Sequence, residues 1–244
     1  MSIDEAEKLL KILSIQEVGK LAKLDIHRES RKGIPEIVLA EGKTPEETVK
    51  IAKKLLAVKG KVIFSKASKS HIKALRKLAV HGTTFKVSED AGVVVFKKNS
   101  VTVKKTEGKI GIITAGTSDI PIAEEAKIIA EEMGCQVLTA YDVGVAGIHR
   151  LFSPLQKMIK DGVGVIVVVA GMEGTLPSVV TGLVDVPVIG VPTSIGYGLG
   201  GGGVGALISM LQSCSLGLTV VNIDNGICAG ATAALIANAK KRKN

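Results

Sequence analysis

Apolar residues recur along this chain in two rhythms, and the change from one to the other divides it. Over residues 4–23, Leu9, Leu10, Ile12, Leu13, Val18 and Leu21 fall near the 3.6-residue period of a helix with one apolar face. The charged, irregular stretch LDIHRESRKGIPEIVLAEGKTPEE follows, with a strand expected from Glu36 to Ala40. Thr44-Pro45-Glu46-Glu47 then combines an N-cap, a proline at the first helical position and a glutamate placed to reach back to the cap, which predicts a helix over Pro45 to Val58. Lys61 to Ser65 reads as a strand, Lys69 to Val80 as a helix and Gly92 to Lys98 as a strand. These elements make a small α/β module that ends near Thr106.

From Gly108 the pattern becomes a regular β-α alternation. KIGIITAG, CQVLTAYDVG, VGVIVVVAG, VPVIGVP and LTVVNIDNG read as strands. PIAEEAKIIAEEMG, PLQKMIKDG, LPSVVTGLV, the apolar run after the glycines and a last segment from Ala229 to Lys240 read as helices. Strands with no polar face, separated by helices, belong to a parallel sheet covered on both sides. The expected fold class is α/β, with a C-terminal three-layer doubly wound parallel sheet over 107–244 and a smaller basic α/β N-terminal module over 1–106.

Composition sharpens this picture. A chain of 244 residues that is 46% apolar fills a sizeable core, and with Phe 4, Tyr 2 and Trp 0 that core must be Val, Ile, Leu and Ala. No apolar run reaches the roughly 18 residues of a membrane span, and MSIDEAEKLLKIL is unlike a signal peptide. A cytoplasmic protein with no membrane partner is expected. Cys135, Cys214 and Cys228 form no C-x-x-C pair, so free thiols are expected, with Cys135 and Cys228 as small buried hydrophobes. Residues 1–106 hold 23 Lys and Arg against 12 Asp and Glu, whereas residues 107–244 hold 9 against 11. The lysines of the basic part fall at helix-surface spacing without a nucleic-acid motif, which favours a solvated face over a nucleic-acid partner.

In doubly wound folds, ligands sit at the carboxyl ends of the strands. The residues placed there are Gly116-Thr117-Ser118-Asp119, His149-Arg150, Glu173-Gly174-Thr175, the loop holding Gly200, Gly201 and Gly202, and Asn222 to Gly226 with Asp224. Amides of a glycine turn that opens a helix suit an anion, and Thr117 and Ser118 add hydroxyl donors. The glycine-dense stretch Thr193 to Gly217 runs into an apolar helix that delivers Cys214. Its glycines are expected to let the chain pass closely around a ligand. Arg28 and Arg31 belong either to a solvated loop or to the grip on a distal part of a substrate.

GTSD after the first strand of this sheet, IHR after the second, AGMEGTLPSVVTG after the third, VPVIGVP, and a glycine loop leading to I-S-M-L-Q resemble, in order, the motifs of the aminoimidazole ribonucleotide carboxylase/mutase (PurE) fold. Two departures stand out. The family's loop histidine before Leu-Pro is absent at Gly174-Thr175-Leu176-Pro177, and Gln212-Ser213-Cys214 stands where PurE has Q-M-P. Those changes, the N-terminal module and NIDNG are similar to the LarB family of nickel-pincer cofactor biosynthesis.

That resemblance implies carboxylation of the pyridinium ring of nicotinic acid adenine dinucleotide and hydrolysis of its phosphoanhydride. It implies Cys214 as the covalent nucleophile, with Asp119, His149 and Glu173 handling protons. Gly116, Thr117, Ser118, Arg150, Gly200, Gly201 and Gly202 would bind substrate, with Arg28 and Arg31 at the adenylate half. Asp224 would help hold Mg²⁺, CO2 or bicarbonate would be the co-substrate, and no organic cofactor is expected. The fold implies a homo-octamer with a site built from more than one subunit. A purine-pathway carboxylase/mutase and a non-catalytic nucleotide sensor are the competing readings.

Overall fold

The computed structural model describes residues 15–18 and 22–239. The chain falls into two compact units, Met1–Thr102 and Val103–Asn244.

In the N-terminal unit, β1 (Ile15–Val18) and β2 (Ala22–Asp25) form an antiparallel pair. This corrects the helix expected over residues 4–23, whose first part lies outside the described residues. Ala22 and Leu24 alternate with Lys23 and Asp25, the two-residue period of a half-buried strand, and Leu24 is buried. A short helix, α1 (Arg28–Lys32), stops at Gly33 in the left-handed conformation. Beyond it come β3 (Ile37–Leu39), α2 (Pro45–Val58), β4 (Lys61–Ser65), α3 (Lys69–Arg76), β5 (Thr83–Ser88) and β6 (Val93–Lys98).

Helix α2 begins where its capping residues predict. The Glu47 N–H donates to the Thr44 hydroxyl at 3.2 Å and the Thr44 N–H to the Glu47 carboxylate at 2.8 Å. The sheet order is β3-β4-β6-β5, with β3 parallel to β4 and β6 antiparallel to both its neighbours. Ile51, Leu55, Phe64, Leu75 and Phe96 fill the core beneath it.

The C-terminal unit alternates strictly: β7 (Lys109–Thr114), α4 (Ile120–Glu132), β8 (Gln136–Ala140), α5 (His149–Lys160), β9 (Val165–Ala170), α6 (Leu176–Thr181), β10 (Val188–Pro192), α7 (Val204–Leu211), β11 (Leu218–Val220) and α8 (Gly226–Ala239). All five strands are parallel, in the order β11-β10-β9-β7-β8. Successive residues of central β9 serve opposite cores. Ile166, Val168 and Ala170 pack with α5, α6 and α7, while Val165, Val167 and Val169 pack with α4 and α8. Three layers result, and the strand order reverses between β7 and β9.

Helices α4 and α8 cross closely because glycines stand at the contact. A Cβ at Gly230 would lie 2.7 Å from Ala126 Cα, and one at Gly226 would lie 2.8 Å from Glu125 Cβ. Helix α8 starts at Gly226 rather than the expected Ala229, and β11 ends at Val220, leaving Asn222 to Asn225 as a loop. Among the described residues, no helix is long and apolar enough to cross a membrane.

Candidate active site

Each β-to-α turn of the C-terminal unit brings polar groups to the carboxyl rim of the sheet, and Asp119 ties three of those turns together. Only 4% of Asp119 is exposed. One carboxylate oxygen accepts from the Gly116 N–H at 2.9 Å, the other from the Thr193 hydroxyl at 2.7 Å, and the Gly171 N–H also donates to the group. The ends of β7, β9 and β10 are thereby pinned to one carboxylate. Gly171 must lack a side chain for this, since a Cβ there would lie 2.7 Å from Thr193 Oγ1.

Burial pushes the Asp119 pKa above the usual carboxylate range; the three hydrogen bonds pull it back, and nearby Asp224 adds to the rise. Thr193→Val removes the largest of the opposing hydrogen bonds. It is expected to move the Asp119 titration midpoint upward in carboxyl-detected NMR, whereas Thr193→Ser leaves it near its original place.

Beside this pin, the Asp142 N–H donates to Thr114 Oγ1 at 3.0 Å, and the Asp142 carboxylate holds Arg150 at 2.8 Å. His149 and Arg150 open α5, and both are exposed. Glu173 is exposed on a tight loop between Met172 and Gly174, whose φ angles are 52° and 63°. The loop presses on the first turn of α7, where a Cβ at Gly174 would lie 2.7 Å from the Ala206 backbone. Asp142, Met172 and Asp224 all hold positive φ just past strand ends, a conformation costing on the order of 1–3 kcal/mol per residue and concentrated at functional sites.

The glycine loop serves the chain's own packing. A Cβ at Gly203 (φ 85°) would lie 2.8 Å from the Thr193 carbonyl, and one at Gly200 would lie 3.1 Å from Gly205 Cα. Gly201 closes a 3-10 turn over Gly198–Gly200, and Gly202 has a φ of 69°. The Gly116 amide, expected to face an anion, is spent on Asp119, while Thr117 and Ser118 remain exposed in a 3-10 turn.

Cys214 stands apart from this rim. It is exposed in the loop between α7 and β11. Because Val188 of β10 pairs in parallel with Leu218, that loop lies at the amino edge of the sheet. The Ser215 hydroxyl anchors it to the Ser178 carbonyl at 2.9 Å. Helix α7 rises about 12 Å from rim to thiol. Within one chain, therefore, α7 carries Cys214 away from the glycines and from Asp119, His149 and Glu173, against the expectation that the helix sets the thiol beside them.

Other expected residues are engaged elsewhere. In the N-terminal unit Arg28 pairs with Glu36 at 3.4 Å and Arg31 pairs with Asp25. Burial raises the Glu36 pKa, and Arg28 partly offsets the rise. The Asp224 carboxylate accepts from the Ser194 N–H at 2.9 Å. No three His, Cys, Asp or Glu among the described residues are grouped to hold a metal. Cys135 is buried, and its burial raises the thiol pKa, but Cys228 is exposed at the start of α8 rather than buried. The N-terminal unit also bears a cleft of about 420 Å³ lined by Lys69, Ile72, Lys73, Arg76, Lys77 and Glu89. Thr193, Gly171 and Asp142 carried no local sequence signal.

A five-stranded parallel sheet of this order, with its polar groups gathered at the carboxyl rim, defines a PurE-like, Rossmann-type α/β protein. The chain belongs to the AIR carboxylase family, whose model matches residues 109–244, and a LarB/PurE-like N-terminal domain matches residues 15–98. It is 48% identical over 239 residues to an uncharacterized protein of Methanocaldococcus jannaschii, covering 97% of this chain and 92% of that protein. It is 31% identical over 130 residues to an N5-carboxyaminoimidazole ribonucleotide mutase of Pyrococcus horikoshii, covering 51% of this chain and 70% of that enzyme. The mutase of Thermotoga maritima is 32% identical over 139 residues, covering 54% and 76% respectively.

Proposed function

We propose that this protein is a LarB-type carboxylase/hydrolase that carboxylates the pyridinium ring of nicotinic acid adenine dinucleotide and cleaves its phosphoanhydride, giving pyridinium-3,5-biscarboxylic acid mononucleotide and AMP. The observation that carries this reading is an exposed thiol, Cys214, on an AIR carboxylase domain preceded by a LarB/PurE-like domain. The chemistry calls for such a thiol. A pyridinium ring is electrophilic and does not attack CO2. Addition of the Cys214 thiolate to a ring carbon makes a dihydropyridine, whose enamine carbon forms the new C–C bond. Loss of the ring proton from that carbon and expulsion of the thiolate restore the aromatic ring. A sulfur that both adds and leaves suits this sequence.

His149 and Glu173, exposed on the carboxyl rim, are the accessible acceptors for the ring proton. Asp119, with its oxygens occupied, positions the strand ends around them. Arg150 with Thr117 and Ser118 would hold a carboxylate or phosphate of the substrate, and the backbone of Gly200 to Gly202 would border it. Because Cys214 lies on the opposite edge of the sheet, this reading requires a homo-oligomer, an octamer by resemblance, in which copies share a site. Mg²⁺ is assigned no step.

Incubation of the protein with nicotinic acid adenine dinucleotide, bicarbonate and Mg²⁺ is expected to release AMP and the dicarboxylated mononucleotide, detected by mass spectrometry. Well-folded protein that yields neither product refutes the assignment. The similarity to the mutases favours one alternative, carboxylation or mutation of aminoimidazole ribonucleotide, which the same assay with that substrate would reveal. A sensor would bind the dinucleotide and turn nothing over.

A further inference from the structure

One face of α3 carries a row of cations over a cleft. Lys69, Lys73, Arg76 and Lys77 recur at the three- and four-residue spacing of a single helix face, and all four are exposed. With buried Ile72 they line the cleft of about 420 Å³ in the N-terminal unit, where Glu89 is the one carboxylate of the lining. The row works against the helix that bears it. Lys69 and Lys73, and again Lys73 and Lys77, are like charges four residues apart, a spacing that weakens a helix. Lys69 also stands at the first helical position, where the dipole is positive, and no acidic residue of the first turn offsets it. Among the described residues, none of these three lysines has a carboxylate partner. The core contacts of α3 come from Ile72 and Leu75 instead, so the cations serve no packing. Arg76 is held in place by two neighbours. Its guanidinium lies 5.9 Å from the centre of the Phe85 ring and meets Glu89 at 3.5 Å, each partner of that ion pair being 60% exposed. The ring steadies the planar group, while the long, solvated ion pair is weak enough to give way to a better acceptor.

We propose that this cleft binds a chain of linked phosphates, a di- or triphosphate either free or carried on a nucleotide, through Lys69, Lys73, Lys77 and Arg76. Four cations against one carboxylate suit a ligand of several negative charges. The fork of Arg76 matches two phosphate oxygens at once, and the lysines act as point charges along the chain. From Lys69 to Lys77 the row runs about 12 Å along the helix axis, a length that linked phosphates span and a single phosphate does not. The volume, too, lies in the range of sites for small organic ligands. Single-stranded nucleic acid fits less well, because its bases stack on accessible aromatic rings. Here Phe64 and Phe96 are fully buried, and Phe85 lies beneath Arg76. Binding of this kind does not depend on the reaction proposed above.

Calorimetric titration of the full chain with inorganic tripolyphosphate is expected to show binding that weakens as salt is raised. The double variant Lys69→Glu, Lys73→Glu is expected to lower that affinity at least about tenfold. Its urea midpoint should stay or rise, because the same change relieves the like-charge row and places an acid at the positive end of the helix. Glu89→Gln is expected to tighten binding, since it frees Arg76 and removes the opposing charge. A wild type that does not bind, or a folded double variant of unchanged affinity, overturns the proposal. Hydrogen exchange of the wild type locates the ligand and decides alone if the double variant fails to fold. Tripolyphosphate should slow exchange within residues 66–90, and protection confined to other segments overturns the assignment. ATP that binds only as tightly as tripolyphosphate assigns the cleft to the phosphate chain itself, whereas tighter ATP assigns it to a nucleotide. A single-stranded RNA oligonucleotide that displaces tripolyphosphate at equal phosphate concentration and protects the same residues makes this a nucleic-acid surface and overturns the proposal.

Discussion

Cys214→Ser is expected to lower the rate of the proposed ring carboxylation at least about 1000-fold, roughly 4 kcal/mol of barrier, while the unfolding midpoint stays where it was. The side chain is exposed in a loop held by the neighbouring Ser215, so exchanging sulfur for oxygen removes no core packing. The hydroxyl nevertheless fails twice in the chemistry. It is seldom ionised near neutral pH, so it adds poorly to the ring, and an alkoxide leaves poorly from the adduct once the new carboxylate is in place. Product formation followed by mass spectrometry, with the serine variant compared against wild type at equal folded concentration, checks the expectation. A variant that retains wild-type turnover shows that the cysteine forms no covalent bond to the ring.

Gly230→Val should cost the C-terminal unit at least about 3 kcal/mol, read as a lowered urea midpoint. The new Cβ alone would approach Ala126 Cα to 2.7 Å, a distance side chains do not tolerate, and the obstacle is backbone rather than a side-chain tip that can swing away. Valine adds two methyl groups to the same place. Helices α4 and α8 must separate, and Ala123, Ala126, Ala229 and Ala233, all buried at that contact, lose their packing together. Gly202→Ala supplies the contrast. Gly202 has positive φ but open space around it, so its cost is the backbone penalty alone, about 1 kcal/mol.

Where local chemistry decides an element, its limits were legible in the sequence. Thr44, Pro45 and Glu47 mark the start of α2 because the capping hydrogen bonds join neighbours in the chain, and β4 occupies the expected Lys61 to Ser65. The unbroken β-branched run of β9 announces a strand buried on both faces. By contrast, Val18 and Ala22, four residues apart, suit a helical stripe and a strand alternation equally well, and only pairing along Ile15–Val18 selects the strand. Strand β5 escaped notice because Phe85 and Val87 are its only large apolar residues, the mark of a sheet edge.

The candidate site divides in the same way. Residues just past strand ends were found because the fold class dictates where to look, so Asp119, His149 and Glu173 reached the rim together. Thr193 and Gly171 were not, since each matters only through a hydrogen bond or a gap between segments far apart in sequence. Cys214 stands, within one chain, at the opposite edge of the sheet from that rim. Nothing local to it reveals that the eight residues of α7 cross from one edge of the sheet to the other.

The contact of α4 with α8 also sets a timetable for synthesis. About a hundred residues separate the two helices along the chain, so at 5–20 residues per second the alanine face of α4 waits on the order of 5–20 s on the ribosome for its cover. Until α8 docks, the face of the sheet that carries Val165, Val167 and Val169 is covered by α4 alone. The nascent chain therefore presents a strip of small apolar side chains to holdase chaperones, and the step that ends this exposure is the docking of the last described helix.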